Sequence, residues 1–208
     1  MRLTSTSLAD CLRVDPAYTF CQPADEVHTS FGGNRSPHLA WSDAPEGTRS
    51  FAVVMHDPDV PANASDVNTE GATLPVDAER ADFFHWLLVD VPAETTEIAE
   101  GAASDGVTQG GKAPGRTAVG LEGLNTYTDF LKGSPMEGTY GRYDGPCPPW
   151  NDERLHHYHV AVFALDVTTL GLPEDGAFTG PDVRAAMEGH VLAHAEIVGT
   201  FSTNPDVR

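Results

Sequence analysis

The chain has 208 residues, 40% of them hydrophobic, with 31 acidic against 12 basic residues and a formal net charge of −19. That length admits a sizeable core in one domain, and no apolar run approaches the ~20 residues that a membrane-spanning helix needs. Lys112 and Lys132 are the only lysines, and so acidic a surface repels nucleic acid and anionic membranes, because holding phosphate backbones takes clustered Lys and Arg.

At the start of the chain, Leu8-Ala9-Asp10-Cys11 has the outline of a lipoprotein cleavage site. Residues 1–8 lack an apolar stretch, and Asp10 stands where a small residue belongs, so no leader is expected there. Apolar and β-branched runs follow at 51–56, 83–91, 158–167 and 196–201, each bounded by Pro, Gly or Asp and each predicted to be a strand. In residues 83–91, alternation sets Phe83, Leu87 and Val89 against Phe84, Trp86 and Leu88. In residues 158–165, Val160 and Val162 oppose Ala161, Phe163 and Leu165. Apolar residues on both faces mark central strands covered on both sides. Residues 101–138 read as an excursion of loops and short elements rather than a linker. One helix is predicted late in the chain, with Pro181 at its first position, Asp182 in its first turn, and Val183, Met187, Val191 and Leu192 at helical spacing. These elements predict a mostly antiparallel β-protein forming one domain over 1–208.

The acidic, lysine-poor composition suits concentrated salt, where screening relieves self-repulsion; a cytoplasmic protein of a salt-adapted cell is the expectation. Cys11, Cys21 and Cys147 make no even disulfide framework, so reduced thiols are expected.

Three places carry chemistry. His156-His157-Tyr158-His159 opens a strand, so His156 and Tyr158 share one face while His157 and His159 share the other. Imidazole and phenol side by side can hydrogen-bond an anion. In Met55-His56-Asp57-Pro58-Asp59-Val60-Pro61 an apolar strand leaves the sheet along a path stiffened by proline, as suits a preformed pocket wall. For Asp59, a solvated acid in a strand-ending turn is an equal reading. Phe84-His85-Trp86 places a histidine within an otherwise apolar strand.

In this order, Asp57-Pro58-Asp59-Val60-Pro61, His85-Trp86, Gly145-Pro146-Cys147-Pro148-Pro149 and His156-His157-Tyr158 resemble the phosphatidylethanolamine-binding protein (PEBP) family, and more closely its bacterial and archaeal, Raf-kinase-inhibitor-like branch. Asn34-Arg35-Ser36-Pro37-His38-Leu39-Ala40-Trp41 and Gly189-His190-Val191-Leu192-Ala193 agree, so the resemblance runs over about 18–201. It implies a large antiparallel sheet packed on a smaller one, with a few peripheral helices. It also implies a pocket for phosphate-like anions or phosphoryl head groups, built from Asp57, Pro61, His85, Cys147, Pro149, His156 and Tyr158. The chain stops soon after Phe201, so the C-terminal helix that partly covers this pocket in animal members is not expected.

The expected function is binding of a small phosphoryl-bearing anion, with no cofactor, no metal and no catalysis. Asp57 is expected to hold His85 or His156 as imidazolium, beside the Tyr158 hydroxyl and the backbone N–H groups of the 145–149 loop. Relatives also act as kinase or protease inhibitors and form homodimers, so an interaction module and a homodimer are further expectations. A hydrolase would use Cys147 as nucleophile, His156 as base and Asp57 as orienter. Two histidines and a carboxylate also describe a metal triad, although no metal-ligand spacing is present. His190 and His194 lack the glutamate of a zinc-protease helix and read as helix-surface or packing residues.

Overall fold

The computed structural model describes residues 1–207. Four long strands dominate it: β5 (Ser50–Pro61), β6 (Arg80–Pro92), β10 (His156–Leu165) and β11 (Val191–Phe201). The short strands are β1 (Arg2–Thr4), β2 (Cys21–Ala24), β3 (His28–Phe31), β4 (Leu39–Ser42), β7 (Glu97–Ile98), β8 (Gly115–Arg116) and β9 (Leu121–Glu122). Helices are α1 (Tyr127–Phe130) and α2 (Gly180–Met187). A six-stranded sheet runs β11-β10-β5-β6-β9-β8, a three-stranded sheet β1-β4-β7, and β2 pairs with β3; every pairing between these strands is antiparallel. Among the described residues no helix is long and apolar enough to cross a membrane.

The two-sided apolar pattern has a direct cause. On one face of the large sheet, Val53, Met55, Trp86, Val160 and Val162 pack with Leu39 and Trp41 of β4 and Ile98 of β7, which is the small sheet. On the other face, Ala52, Val54, Leu87 and Val89 pack with Phe178 and with Val183 and Met187 of α2. Each Val, Leu, Ile, Phe or Met side chain among them, fully buried, contributes roughly 1.5–3 kcal/mol, so β5, β6 and β10 form a rigid floor.

A bulge changes the face assignment in β6. Met55 faces Trp86 and His56 faces Phe84, so His85 has no residue opposite it. An extra residue reverses the alternation beyond it. Phe84 therefore joins Leu87 and Val89, not Trp86 and Leu88 as alternation alone predicts. Phe83 packs with Phe20, Tyr127 and Tyr140. A second irregularity sets Pro58 and Asp59 of β5 in the interval between the pairs Asp57–Phe83 and Val60–Ala81. Proline has no N–H to leave unpaired there.

Helix α2 begins as predicted, with Pro181 in its first turn and the Thr179 N–H donating to Asp182 Oδ2 at 2.8 Å. It ends at Met187, earlier than the spacing predicts. Gly189, at φ +79°, takes the left-handed turn that a side chain resists, and Val191 and Leu192 start β11. His194 lies in that strand and His190 in the turn before it, bonded to Asp166; neither is on the helix. Residues 101–138 hold only β8, β9 and α1 among loops.

The expectation of three reduced thiols is wrong. Cys21 and Cys147 form a disulfide across 126 residues, leaving Cys11 free. An odd cysteine count hid a pair that only the fold brings together, tying the start of β2 to the 145–149 loop.

Candidate functional site

Neighbouring strands β5, β6 and β10 bring Asp57, His85 and Tyr158 together at the floor of a cavity of about 70 Å³. Cys147 and Pro149 of the 145–149 loop form one wall, and Pro61 at the end of β5 forms another. Apolar side chains, among them Val60, Phe83 and Phe130, line it together with Asn68, whose Oδ1 accepts the Trp150 N–H at 3.0 Å, and Tyr127, whose hydroxyl donates to the Gly145 carbonyl at 2.9 Å. The fold thus brings Asp57, Pro61, His85, Cys147, Pro149 and Tyr158 together around one cavity.

His156 does not line the cavity. It is fully buried behind Asp57, with Nδ1 2.7 Å from Asp57 Oδ2 and Nε2 3.1 Å from Asp152 Oδ2. Arg80 clasps the far side of Asp152. Burial opposes a charge on His156, but the hydrogen bonds and charges of Asp152 and Asp57 outweigh it and raise its pKa to about 9. His156 is therefore an imidazolium with both N–H groups committed to carboxylates. It neutralises the floor and has no donor left for a ligand.

His85 behaves in the opposite way. Its Nδ1 lies 2.8 Å from the Asp144 carbonyl oxygen, which only accepts, so Nδ1 carries the proton and Nε2 is the free acceptor. Burial pushes its pKa down to about 4 against the pull of Asp57. The expected imidazolium beside Asp57 is thus His156 and not His85.

Tyr158 is 1% exposed, and its hydroxyl has no hydrogen-bond partner. Burial and the charge of Asp57 push its pKa well up, so the O–H stays a donor. Asp57 Oδ1 accepts the Asp59 N–H at 2.8 Å. The 145–149 loop offers less than expected: three of its residues are prolines, and the Gly145 N–H donates to Asn34 Oδ1 at 2.8 Å. Cys147 supplies the one amide donor that remains.

That loop is anchored from below. The buried Asp144 carboxylate accepts from Asn34 Nδ2 at 2.8 Å, Asn125 Nδ2 at 2.9 Å and Lys112 Nζ at 2.5 Å. The fixed Asp144 backbone then sets the His85 ring. On the far side, Asp59 is neither solvated nor in the cavity; it is buried against Arg154 Nε at 2.6 Å and His157 Nδ1 at 2.8 Å. His157 is half-exposed and His159 bonds Glu196 on β11, so both face away from the cavity as alternation predicts.

Sequence reasoning missed Asp152, Arg80, Asp144, Asn34, Lys112 and Tyr127. Two signals were present: Asp152 stands four residues before His156, and Lys112 is one of only two lysines in the chain. Among the described residues no cluster of three or more His, Cys, Asp or Glu is arranged to hold a metal ion. With its sulfur bonded to Cys21, Cys147 has no thiolate to attack a substrate.

Comparison with known proteins places the chain in a family. The phosphatidylethanolamine-binding protein family model matches residues 5–202. A UPF0098 protein of Aquifex aeolicus is 35% identical over 85% of this chain and 79% of its own length. YbhB of Escherichia coli, also a UPF0098 protein, is 34% identical over 82% of this chain and 84% of its own. The crystal structure of E. coli YbcL, described as a new member of the mammalian PEBP family, superposes with a TM-score of 0.67 at 27% identity, covering 97% of both chains. A PEBP homologue from Chlamydia trachomatis superposes at 0.64 with 25% identity, covering 97% of this chain and 96% of its own. The chain belongs to the phosphatidylethanolamine-binding protein family, in its bacterial and archaeal branch.

Proposed function

We propose that the cavity binds a small phosphoryl-bearing anion and that the protein is a binder rather than an enzyme. The observation that carries this reading is the Tyr158 hydroxyl, buried without a partner at the cavity floor. A buried polar group left unsatisfied costs about 1–3 kcal/mol, and an anionic oxygen that accepts from it recovers that cost. His156 behind Asp57 keeps the floor close to neutral, so an anion is not repelled by an uncompensated carboxylate.

Calorimetric titration with methyl phosphate tests this. Binding by the wild type is expected, and Tyr158→Phe weakens it about tenfold, the worth of one hydrogen bond to a charged group. Equal affinity in the two proteins would remove Tyr158 from the site, and no binding by the wild type would overturn the reading.

We further propose that the protein works in concentrated salt in the cytoplasm. The support is a net charge of −19 with two lysines. The Cys21–Cys147 disulfide restricts this to a cytoplasm whose thiol systems leave the bond intact. Thermal unfolding should shift to higher temperature between about 0.1 M and about 1 M KCl, as the Debye length falls from about 10 Å to about 3 Å. A flat or falling midpoint would contradict salt adaptation.

A further inference from the structure

We propose that residues 62–73 are a lid on the cavity, that the Asn151 side chain is its latch, and that opening of the lid sets how fast a ligand enters and leaves. The part played in ligand exchange rests on the phosphoryl-binding reading; the latch itself does not.

Residues 62–79 join β5 to β6 with no helix or strand of their own. An antiparallel pair can be turned by about two to five residues. An ordered connection beyond about 12–15 residues, without secondary structure, is usually a lid or a binding loop. This one crosses the cavity, which Ala64, Val67 and Asn68 line. It has almost no core of its own, since Leu74 is its only buried residue. Hydrogen bonds, rather than burial, hold it down.

Those bonds converge on one side chain. Asn151 is 6% exposed and lies just beyond the wall formed by Cys147 and Pro149. Its Nδ2 donates to the Asp66 carbonyl at 2.8 Å and to the Ala72 carbonyl at 3.1 Å, and its Oδ1 accepts the Asn68 N–H at 3.0 Å. Two carbonyls and one N–H call for two donors and an acceptor on one short side chain, which a primary amide supplies. Asn68 returns the contact by accepting the Trp150 N–H. The latch therefore ties two walls of the cavity together. Asn68 Nδ2 has no protein partner among the described residues, so the closed lid can offer a donor to an occupant.

The ends of the segment are fastened separately. The Ala62 N–H donates to the Glu79 carbonyl at 2.9 Å. The Leu74 N–H donates to the Asn151 carbonyl, and the Leu74 carbonyl accepts the Glu153 N–H, both at 3.0 Å. Between these points the chain is free to swing once the three bonds to the Asn151 side chain break. Gly71, at φ +75° and surrounded by open space, is a point of give. Glu70 also reaches His28, but both are exposed and such a pair holds little.

Amide exchange followed by NMR tests the lid and latch. In the wild type the Asn68 N–H should be protected, yet exchange faster than the amides of β5 and β6, because local opening releases it. An unprotected Asn68 N–H overturns the latch. One as slow as the strands, released only by global unfolding, overturns the lid. In Asn151→Ala, exchange over 62–73 should rise about 100-fold, as for the loss of three hydrogen bonds, with β5 and β6 unchanged. Asn151→Asp has the same size but sets an acceptor against two carbonyls, so it should do likewise through chemistry rather than packing. No rise in either variant overturns the latch. Phosphorus NMR then follows methyl phosphate, which should enter and leave Asn151→Ala at least about tenfold faster than the wild type. A merely structural residue would weaken binding without speeding association, so unchanged association overturns the gating role. No binding by the wild type overturns the phosphoryl reading, while amide exchange still decides the latch. Where neither variant folds, the wild-type Asn68 N–H decides alone.

Discussion

Replacing His156 with alanine is expected to destabilise the protein by about 3–5 kcal/mol, the usual cost of removing one partner from a buried ion pair. The imidazolium lies between Asp57 and Asp152, and all three side chains are almost completely buried. Arg80 still compensates Asp152 in the variant, but Asp57 is left as a buried carboxylate holding only the Asp59 N–H. Denaturant unfolding measures the loss. The pH dependence gives a second check. His156 is raised from 6.5 to about 9 in the folded state, which is worth about 3 kcal/mol. Because the folded pKa is the higher one, this stabilisation is complete below about pH 6.5 and is lost as pH rises through about 9. His85 is depressed to about 4. Its contribution is complete above about pH 6.5 and is lost as pH falls through about 4. Together the two histidines favour a stability maximum near pH 6.5, and His156→Ala should flatten the alkaline limb alone. An alkaline limb unchanged in the variant would show that His156 is not the charged group.

Removing the disulfide is the second large effect. Cys21 and Cys147 are separated by 126 residues, and the loop-closure model assigns such a cross-link about 5 kcal/mol of stabilisation through the unfolded chain. The double variant Cys21→Ser/Cys147→Ser should lose up to that amount in denaturant unfolding. Because Cys147 lines the cavity and its bond to Cys21 fixes the 145–149 loop, affinity for methyl phosphate should fall along with stability. Thiol titration of the unfolded wild type without reductant should find the single free thiol of Cys11. Three reactive thiols, or a double variant as stable as the wild type, would contradict the cross-link.

Much of this architecture is legible before any coordinates. The strands at 51–56, 83–91 and 158–167 stand out because both of their faces are covered, one by the small sheet and one by α2. Alternation alone separates His156 and Tyr158 from His157 and His159. The company of Tyr158, namely Asp57, His85 and Pro149, rests on the order of motifs shared with relatives, since no local rule joins strand ends that are far apart in sequence. What was not legible depends on tertiary detail. The bulge at His85 breaks the period on which face assignment rests. The helix pattern ran on into Val191 and Leu192 because exposed apolar residues at the start of β11 happen to keep helical spacing. His156 shares a face with Tyr158 yet serves a different purpose, because Asp152 closes over it from the preceding loop. Likewise the two histidines take opposite charge states through their second partners, a carbonyl for His85 and a carboxylate for His156.

The most direct test of the site is a crystal structure of the protein soaked with methyl phosphate at about pH 5. The account predicts a phosphoryl group in the cavity, one oxygen accepting from the Tyr158 O–H, and His156 untouched behind Asp57. A phosphoryl group bonded directly to His156, or bound only outside this cavity, would contradict it.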